Sequence, residues 1–582
     1  MTTGCFATTF GKRSFKTEAA NGAGLLVDGL IAAGIPLIFG VPGDTGIALY
    51  EALYQRADRI RHVLARDERA AAAMADGYAR TGHRLGVVEA SSGGGVTYLV
   101  GGLGEAYAAS IPLLVLTSDI ARQSRGTGAV TEIDQGALLS AVTKWQRTVD
   151  SADDIPRLLA EAIGMALGGR PGPVSLVFPE DVLSMPSAAV PTAIPTVLPP
   201  VRPEAPEEAV ALVARALSEA THPAILAGSG VHLSAAWEEL RALAHDAGVP
   251  VATTIHGKGA FAETDALALG VVGANGAHSG ANTYLEQADW VLLVGTRANA
   301  TDTDGFRAPP RQGCFIAQID IDASRAGRNY PSAVPLPGDA GAVLRQLGRE
   351  IRSLGMRHAA IDPPPRPVTA EEVLKEERVP AGALHPGALV MTLQEAVQPG
   401  TLVTADAGTP TPWLASLWRC DTAGRSVLVP RGHGPMGFAL PAAVGGALAS
   451  PGAPVLCVTT DGSLAMCAGE LETVHRLQLP ITIVHLANHS YGWIKMLQHL
   501  YADRHYLGVD FSPVQADLVA RGFGLSAERV GSLEDLGRAV ASAQAEGRPH
   551  FIDVQVPSEE ALPPPVSPWQ RTLQGLGGRP VY

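Results

Sequence analysis

The sequence predicts an α/β protein built from three doubly wound parallel-sheet domains, on three observations. Short apolar runs bounded by Gly, Pro or Asp alternate with helical patterns along most of its 582 residues. That alternation is the signature of parallel sheets with helices packed on their faces. A chain of this length suits roughly three or four domains of ordinary size. Two proline-rich stretches, Ser184 to Pro206 and the run around Pro363-Pro364-Pro365, part it into blocks. The expected organisation is an N-terminal arm over 1–18, a first domain over 19–183, a linker over 184–206 and a second domain over 207–350. A second linker over 351–385, a third domain over 386–560 and a tail over 561–582 complete it.

Bulk properties narrow the function classes. A formal net charge of −13 argues against nucleic acid as the main partner. It leaves room for a phosphorylated cofactor, which backbone amides and a metal can hold. No apolar run reaches membrane-spanning length, so no membrane is expected. Lys12, Arg13 and Lys16 are followed by no apolar core, so a secretory signal is not expected either. Cys5, Cys314, Cys420, Cys457 and Cys467 are scattered and odd in number, which suits free thiols in a cytoplasmic protein.

In the first block a helical pattern from Gly22 to Ala33 precedes a strand, Pro36 to Phe39, which ends in Gly40-Val41-Pro42-Gly43-Asp44. A helix from about Gly46 to Tyr54 and a short strand, His62 to Leu64, follow. Arg66-Asp67-Glu68 then opens an alanine-rich helix, Ala70 to Thr81. Glu68 sits where a strand gives way to a helix. From there a carboxylate can reach a ligand at the sheet edge, or simply offset the helix dipole. The strand Leu85 to Ala90 runs into Ser91-Ser92-Gly93-Gly94-Gly95, read as a glycine turn. Pro112 to Thr117 and Val174 to Phe178 are the remaining strands, the latter before Pro179-Glu180-Asp181.

The second block opens with a helix, Glu207 to Leu217. Strands follow at Pro223 to Leu226, Val249 to Thr253, Trp290 to Val294 and Phe315 to Ile321. Its loop residues of interest are Gly228-Ser229-Gly230, Gly273-Ala274-Asn275-Gly276, Gly295-Thr296-Arg297 and Asp320-Ile321-Asp322. In the third block a helix from Gly387 to Val397 leads to a strand, Thr401 to Ala405, ending in Asp406-Ala407-Gly408-Thr409. A glycine-rich frame, Arg431 to Pro441, comes next.

The densest constellation is the stretch from Pro454 to Trp493. A buried strand, Pro454 to Thr459, ends in Asp461-Gly462-Ser463. A helix with Leu464, Leu471, Val474 and Leu477 on one face leads to a second strand, Ile481 to Leu486, and then Asn488. Parallel strands end on one edge, so Asp461 and Asn488 meet there. Both offer hard oxygen ligands suited to Mg²⁺ or Ca²⁺. Gly462 and Ser463 present N–H groups at a helix start, where an anion is favoured. A divalent metal beside an anion cradle suggests a diphosphate. An Asp-Gly pair alone is a common strand-end turn; here the two strands and Ser490-Tyr491-Gly492 after the Asn give it a context.

On these residues the chain, from about Leu25 to about Val556, resembles the thiamine diphosphate enzymes of the acetohydroxyacid (acetolactate) synthase and 2-oxo acid decarboxylase family. The family motif runs Gly-Asp-Gly to Asn-Asn; Thr460 and Ala487 depart from it, while Asp461 and Asn488 match. Gly40-Val41-Pro42-Gly43 before Glu68 and Ala75-Asp76-Gly77-Tyr78-Ala79-Arg80 after it also match. So does the frame of Gly434, Met436, Gly437, Phe438, Leu440 and Pro441.

The resemblance implies three domains of pyrimidine-binding, central and diphosphate-binding type, and two cofactors, thiamine diphosphate and Mg²⁺. It implies metal ligands at Asp461, Asn488 and the Ser490 carbonyl. Cofactor contacts are implied at Pro42, Gly408, Thr409, Gly462, Ser463, Tyr491 and Gly492. The Gly434 carbonyl would hold the 4′-amino group, and Met436 would wedge between the cofactor's rings. Glu68 is the implied catalytic residue: it would hydrogen-bond the aminopyrimidine so that the C2 proton can leave. The family's active site lies at a subunit interface, so a homodimer or homotetramer is implied.

For the central domain two alternatives stay open, an FAD holder with Arg297 matching a family arginine, and a purely structural domain. The implied reaction is decarboxylation of a 2-oxo acid with carboligation to an acceptor carbonyl. Simple decarboxylation to an aldehyde, or a degenerate cofactor-binding homologue, are the alternatives. Val130-Thr131, His433, Trp493 and Leu497 differ from family pocket residues, so neither donor nor acceptor is fixed by the sequence. His433 is read either as a proton donor or as a surface histidine. The tail with Trp569 either folds over the site or carries no order.

Overall fold

The computed structural model describes residues 21–191, 194, 196–276, 280–355 and 379–579. The N-terminal arm, most of the second linker and the end of the tail lie outside them. The strands form three six-stranded sheets, each parallel throughout.

The first sheet holds β1 (Leu37–Gly40), β2 (Arg61–Leu64), β3 (Gly86–Ala90), β4 (Leu113–Asp119), β5 (Trp145–Thr148) and β6 (Val174–Pro179), in the order β2-β1-β3-β4-β6-β5. The second holds β7 (Pro223–Ala227), β8 (Val251–Thr253), β9 (Ala268–Val271), β10 (Trp290–Val294), β11 (Phe315–Asp320) and β12 (Val334–Pro337), in the order β12-β11-β10-β7-β8-β9. The third holds β13 (Leu402–Ala405), β14 (Val427–Leu428), β15 (Val455–Thr460), β16 (Ile481–Ala487), β17 (Ser526–Val530) and β18 (His550–Gln555), in the order β14-β13-β15-β16-β18-β17.

Two consequences follow. The first and third sheets share one topology, with the order reversing between β1 and β3 and between β13 and β15. The second sheet has the order of a dinucleotide-binding fold, reversing between β7 and β10. At such a reversal the loops leave in opposite directions and open a crevice at the carboxyl ends of the strands, where ligands bind. Gly408 follows β13 and Asp461 follows β15, so the diphosphate constellation sits at the third sheet's reversal.

The central strands are apolar on both faces because helices cover both, as in β15 and β16, whose residues are nearly all buried. Two helices join the first sheet to the third. Helix α1 (Glu68–Gly82) and helix α4 (Ala439–Ala449) cross where each carries a glycine. A Cβ on Gly77 would lie 2.3 Å from the Ala442 carbonyl oxygen, and one on Gly445 would lie 1.9 Å from that of Met74. One large core, from Phe39 and Met74 to Val444 and Phe551, therefore runs through both sheets.

The structure revises three local expectations. Only Gly93, at φ +66, is a turn residue; Gly94 and Gly95 open helix α2 (Gly94–Ala109). The single helix expected after Asp461 is two, α5 (Asp461–Cys467) and α6 (Glu470–Leu477), parted at Ala468-Gly469. Glu180 and Asp181 start a short helix, α3 (Glu180–Ser184), straight after β6. Strands β5, β9, β12, β14, β17 and β18 were not expected. Five of them are sheet edges and β18 lies next to one; short edge segments such as β5 and β17, with mixed exposure, carry little periodicity.

The tail is ordered: Trp569, in α8 (Ser567–Leu573), is fully buried with Met496 and Val566, against α7 (Gly492–Tyr501). Arg571 and Ser567 both bond Asp304, tying that helix to the central domain. Among the described residues, no helix is long and apolar enough to cross a membrane.

Candidate active site

Above the third sheet's reversal lies a pocket lined by Gly408, Thr409, Gly434, Met436, Gly462, Ser490, Tyr491 and Gly492, and also by Arg431, His433, Trp493 and Ile494. Eight of the residues singled out from the sequence thus share one cavity. Asp461, Ser463 and Asn488 stand directly behind it.

Asp461 is the first residue of α5, straight after β15. Its Oδ2 accepts the backbone N–H groups of Asn488 at 2.7 Å and His489 at 2.9 Å, so the ends of β15 and β16 are clamped together. Its Oδ1 accepts no hydrogen bond from a described residue; His485 Nε2 and His489 Nδ1 stand off at 3.7 and 3.9 Å, and neither finds a partner. His485 is itself held through Nδ1 by Asp553 at 2.8 Å. Asn488 Oδ1 accepts the Ser490 N–H at 3.1 Å and the Ser490 hydroxyl at 3.4 Å, a long bond whose rotation would release one lone pair. Ser463 is fully buried and its Oγ has no partner.

A carboxylate oxygen without a donor, an amide oxygen beside it and an orphaned hydroxyl at a helix start suit a hard cation and an anionic oxygen group. The residues present therefore fit Mg²⁺ and a diphosphate. The 489–491 loop is pinned by Tyr491 N–H to the Val509 carbonyl at 2.7 Å and Phe511 N–H to the His489 carbonyl at 2.8 Å.

The loop carrying Met436 is held from the first sheet. Glu105, on α2 and 1 % exposed, accepts the N–H groups of Gly432, His433 and Gly434 at 3.2, 2.7 and 3.2 Å. Arg80 bonds Glu105 at 3.2 Å and grips Asp76 through both nitrogens. Asp76 and Arg80 of the Ala75–Arg80 match thus serve this buried ion cluster. From the other side Asp406, fully buried after β13, accepts the N–H groups of Phe438 and Ala439 and the hydroxyl of Thr459. His433 lines the pocket and is exposed. Leu497 packs against the Trp569 cluster and does not line the pocket.

Glu68 and Pro42 do not line this pocket. Glu68 is the first residue of α1, with Asp67 capping the helix through bonds to the N–H groups of Arg69 and Ala70. Burial raises its carboxyl above the ordinary range; its own backbone N–H pulls the other way, and Asp67 and Glu89 add to the rise. Its Oε1 lies 3.1 Å from where a Cβ on Gly95 would be, so the glycine that opens α2 leaves the carboxyl room. Within one chain, then, the acid is not part of the diphosphate pocket's lining.

One residue that sequence reasoning missed is Glu559, just after β18. It is 1 % exposed. Its carboxyl accepts the Thr409 hydroxyl and, at 3.0 Å, Asn488 Nδ2. Burial pushes it up to about 8, with Glu560 and Asp461 pushing the same way. Seventy-one residues part Glu559 from Asn488, and no local pattern marks it.

A second crevice opens at the reversal of the central sheet, lined by Ser229, Gly230, Gly295, Arg297, Asp320 and Arg325, and by Arg170 of the first domain. Gly230 and Gly295 are in such close contact that a Cβ on either would meet the other's Cα within 2.6 Å. His256 Nε2, in this crevice, is buried without a hydrogen-bond partner among the described residues. Burial lifts the Asp320 carboxyl to about 6.

Comparison with known proteins agrees with this geometry. Family models described as the thiamine pyrophosphate enzyme N-terminal TPP binding domain, central domain and C-terminal TPP binding domain match residues 20–138, 210–347 and 406–554. The chain is 33% identical over 563 residues to a protein of Methanocaldococcus jannaschii named probable acetolactate synthase large subunit, covering 93% of both. It is 31% identical to the acetolactate synthase large subunit of Parasynechococcus marenigrum, over 96% of this chain and 91% of that one. It is also 31% identical to the acetolactate synthase isozyme 3 large subunit of Escherichia coli K12, over 94% and 96%.

Proposed function

Since the chain belongs to the thiamine pyrophosphate enzymes, among the relatives of acetolactate synthase large subunits, we propose that it decarboxylates a pyruvate-like 2-oxo acid and joins the resulting acyl unit to an acceptor carbonyl. The observation that carries this reading is the pairing at the third sheet's reversal. Asp461 Oδ1, and Asn488 Oδ1 once the Ser490 hydroxyl swings off it, could serve a cation beside a Gly408–Thr409 and Gly462–Ser463 cradle.

When bound, thiamine diphosphate supplies a thiazolium carbon acid that adds to the 2-oxo group and accepts the electrons released as CO₂ leaves. Asp461, Asn488 and the Ser490 carbonyl would hold Mg²⁺, and the amides around Gly408, Thr409, Gly462, Ser463 and Gly492 would face the diphosphate. Tyr491 and Met436 would support the rings, and the Gly434 carbonyl would accept from the 4′-amino group. Glu68 would hold the proton at the pyrimidine ring, with Pro42 a further contact to that ring. Burial of Glu68 keeps that proton available nearer neutrality.

The absence of Glu68 from the pocket's lining supports a homodimer or homotetramer in which a second copy supplies the acid. The exposed apolar side chains of Tyr98, Val130, Ile494 and Leu507 are consistent with such an interface. The central crevice would take FAD: it has a dinucleotide-fold order, touching glycines, arginines and an unpartnered buried histidine nitrogen, His256 Nε2. A cytoplasmic location suits the unpaired Cys314, Cys420, Cys457 and Cys467.

The test is product analysis with thiamine diphosphate and Mg²⁺, offering pyruvate and other 2-oxo acids with and without aldehydes. A 2-hydroxy-3-oxo product with CO₂ is expected. Free aldehyde alone would make it a decarboxylase, and no CO₂ from any 2-oxo acid would leave a cofactor-binding homologue without turnover.

A further inference from the structure

Glu559 comes from neither of the loops it touches. It follows β18, while Thr409 belongs to the loop after β13 and Asn488 ends β16. These two strands flank β15, which delivers Asp461. One carboxyl therefore spans the cavity's floor, taking the Thr409 hydroxyl on Oε1 and Asn488 Nδ2 on Oε2.

The second bond decides which way the Asn488 amide faces. With Nδ2 committed to Glu559, Oδ1 must point to the opposite side, where it accepts the Ser490 N–H at 3.1 Å and, at 3.4 Å, the Ser490 hydroxyl. An amide turned over would set two N–H donors where a cation needs an oxygen. Gly492 is part of the same device, since a Cβ there would fall 1.4 Å from Glu559 Oε2. Any side chain at 492 would evict the carboxyl. Lys495 meanwhile pairs with the neighbouring Glu560 at 2.8 Å and leaves Glu559 to its two neutral partners.

We infer that Glu559 is a positioning residue: it orients Asn488 as a metal ligand and fixes Thr409 in the diphosphate cradle, so that the metal and cofactor bind together. The inference rests on the thiamine diphosphate reading above. It needs the bridging length of the side chain, with an acceptor for Asn488 at its end, and not a negative charge.

Binding separates the possibilities. Thiamine diphosphate, with Mg²⁺ varied, is titrated into the full-length protein and followed by tryptophan fluorescence, Trp493 lining the pocket. Steady-state rates are taken alongside. Glu559→Gln, isosteric and able to serve both partners, should keep both dissociation constants within about threefold of wild type. Glu559→Asp, a methylene too short, and Glu559→Ala should each weaken them by about tenfold to a hundredfold, as loss of a ligand-orienting partner does. kcat at saturation should change far less than the dissociation constants. If the Ala variant does not fold, the Asp and Gln pair carries the comparison.

Asp binding like wild type while Gln fails would mean that the charge acts directly, which overturns the inference. So would unchanged binding in Asp and Ala, or a fall in kcat without any change in binding. Failure of the wild type to bind thiamine diphosphate at all would instead overturn the reading on which this one rests.

Discussion

At the scale of single residues, Glu68 carries the heaviest demand. Its carboxyl is half-buried and raised by that burial, in a position to share a proton with a ring nitrogen. Glu68→Gln should retain thiamine diphosphate binding while CO₂ release falls by roughly 10²–10⁴-fold, the usual contribution of a positioned acid–base group. A fluorescence titration beside a CO₂ assay measures both. Glu470 gives a second prediction. Buried at the start of α6, it accepts the N–H of Arg66 and the Thr473 hydroxyl, and burial lifts it from an ordinary 4.5 to about 7. The folded chain thus holds a proton that the unfolded chain has released, so this residue lowers stability as pH rises from about 4.5 to about 7. Glu470→Gln should remove that slope. Its melting temperature relative to wild type should climb between pH 5 and pH 7.5 in thermal scans; a constant difference would contradict the assignment.

Residue legibility followed the same physics. Asp461 and Asn488 could be placed together from sequence because parallel strands end on one edge and the connecting helix is local. Glu559, Glu105 and His485 could not. Their partners are Asn488, the Gly432–Gly434 amides and Asp553, brought together only by the folded sheet.

At the scale of elements, the two crossing helices and the loop beside them set the site. Gly445 meets a backbone carbonyl of α1 that no rotamer change can move aside. Gly445→Ala should therefore cost about 1–3 kcal/mol in denaturant unfolding, the range for overpacking in a closed core. Glu105→Ala should cost more, about 3–5 kcal/mol, because it leaves Arg80 buried beside a broken ion cluster. It also releases three amides of the Met436 loop. Central strands such as β15 and β16 were visible as continuous apolar runs, since both faces are covered. Edge strands such as β5 and β17 were not. Trp145 to Thr148 and Ser526 to Val530 are short, partly exposed and mixed in polarity, and pairing with a neighbour, not their own pattern, makes them strands. The break between α5 and α6 escaped notice because Leu464, Leu471 and Val474 are all buried although they belong to two helices.

At the scale of the whole molecule, one topology appears twice, in the sheets that bear Glu68 and Asp461, with a dinucleotide-type sheet between them in sequence. The alternation of runs made this parallel architecture readable in advance, whereas the repetition of strand order needed the edge strands. The central crevice predicts a flavin band near about 450 nm in the purified protein; a colourless preparation that gains no band with added FAD would leave that domain structural. The larger claim is that the acid of one copy serves the metal-anchored pocket of another. Co-expressing Glu68→Gln with Asp461→Ala, each inactive alone, measures it directly. In a mixed dimer one site then receives both lesions and the other receives neither, so random pairing should restore about a quarter of the wild-type CO₂ release. Mixed dimers that form but release no more CO₂ than either variant alone would contradict the account.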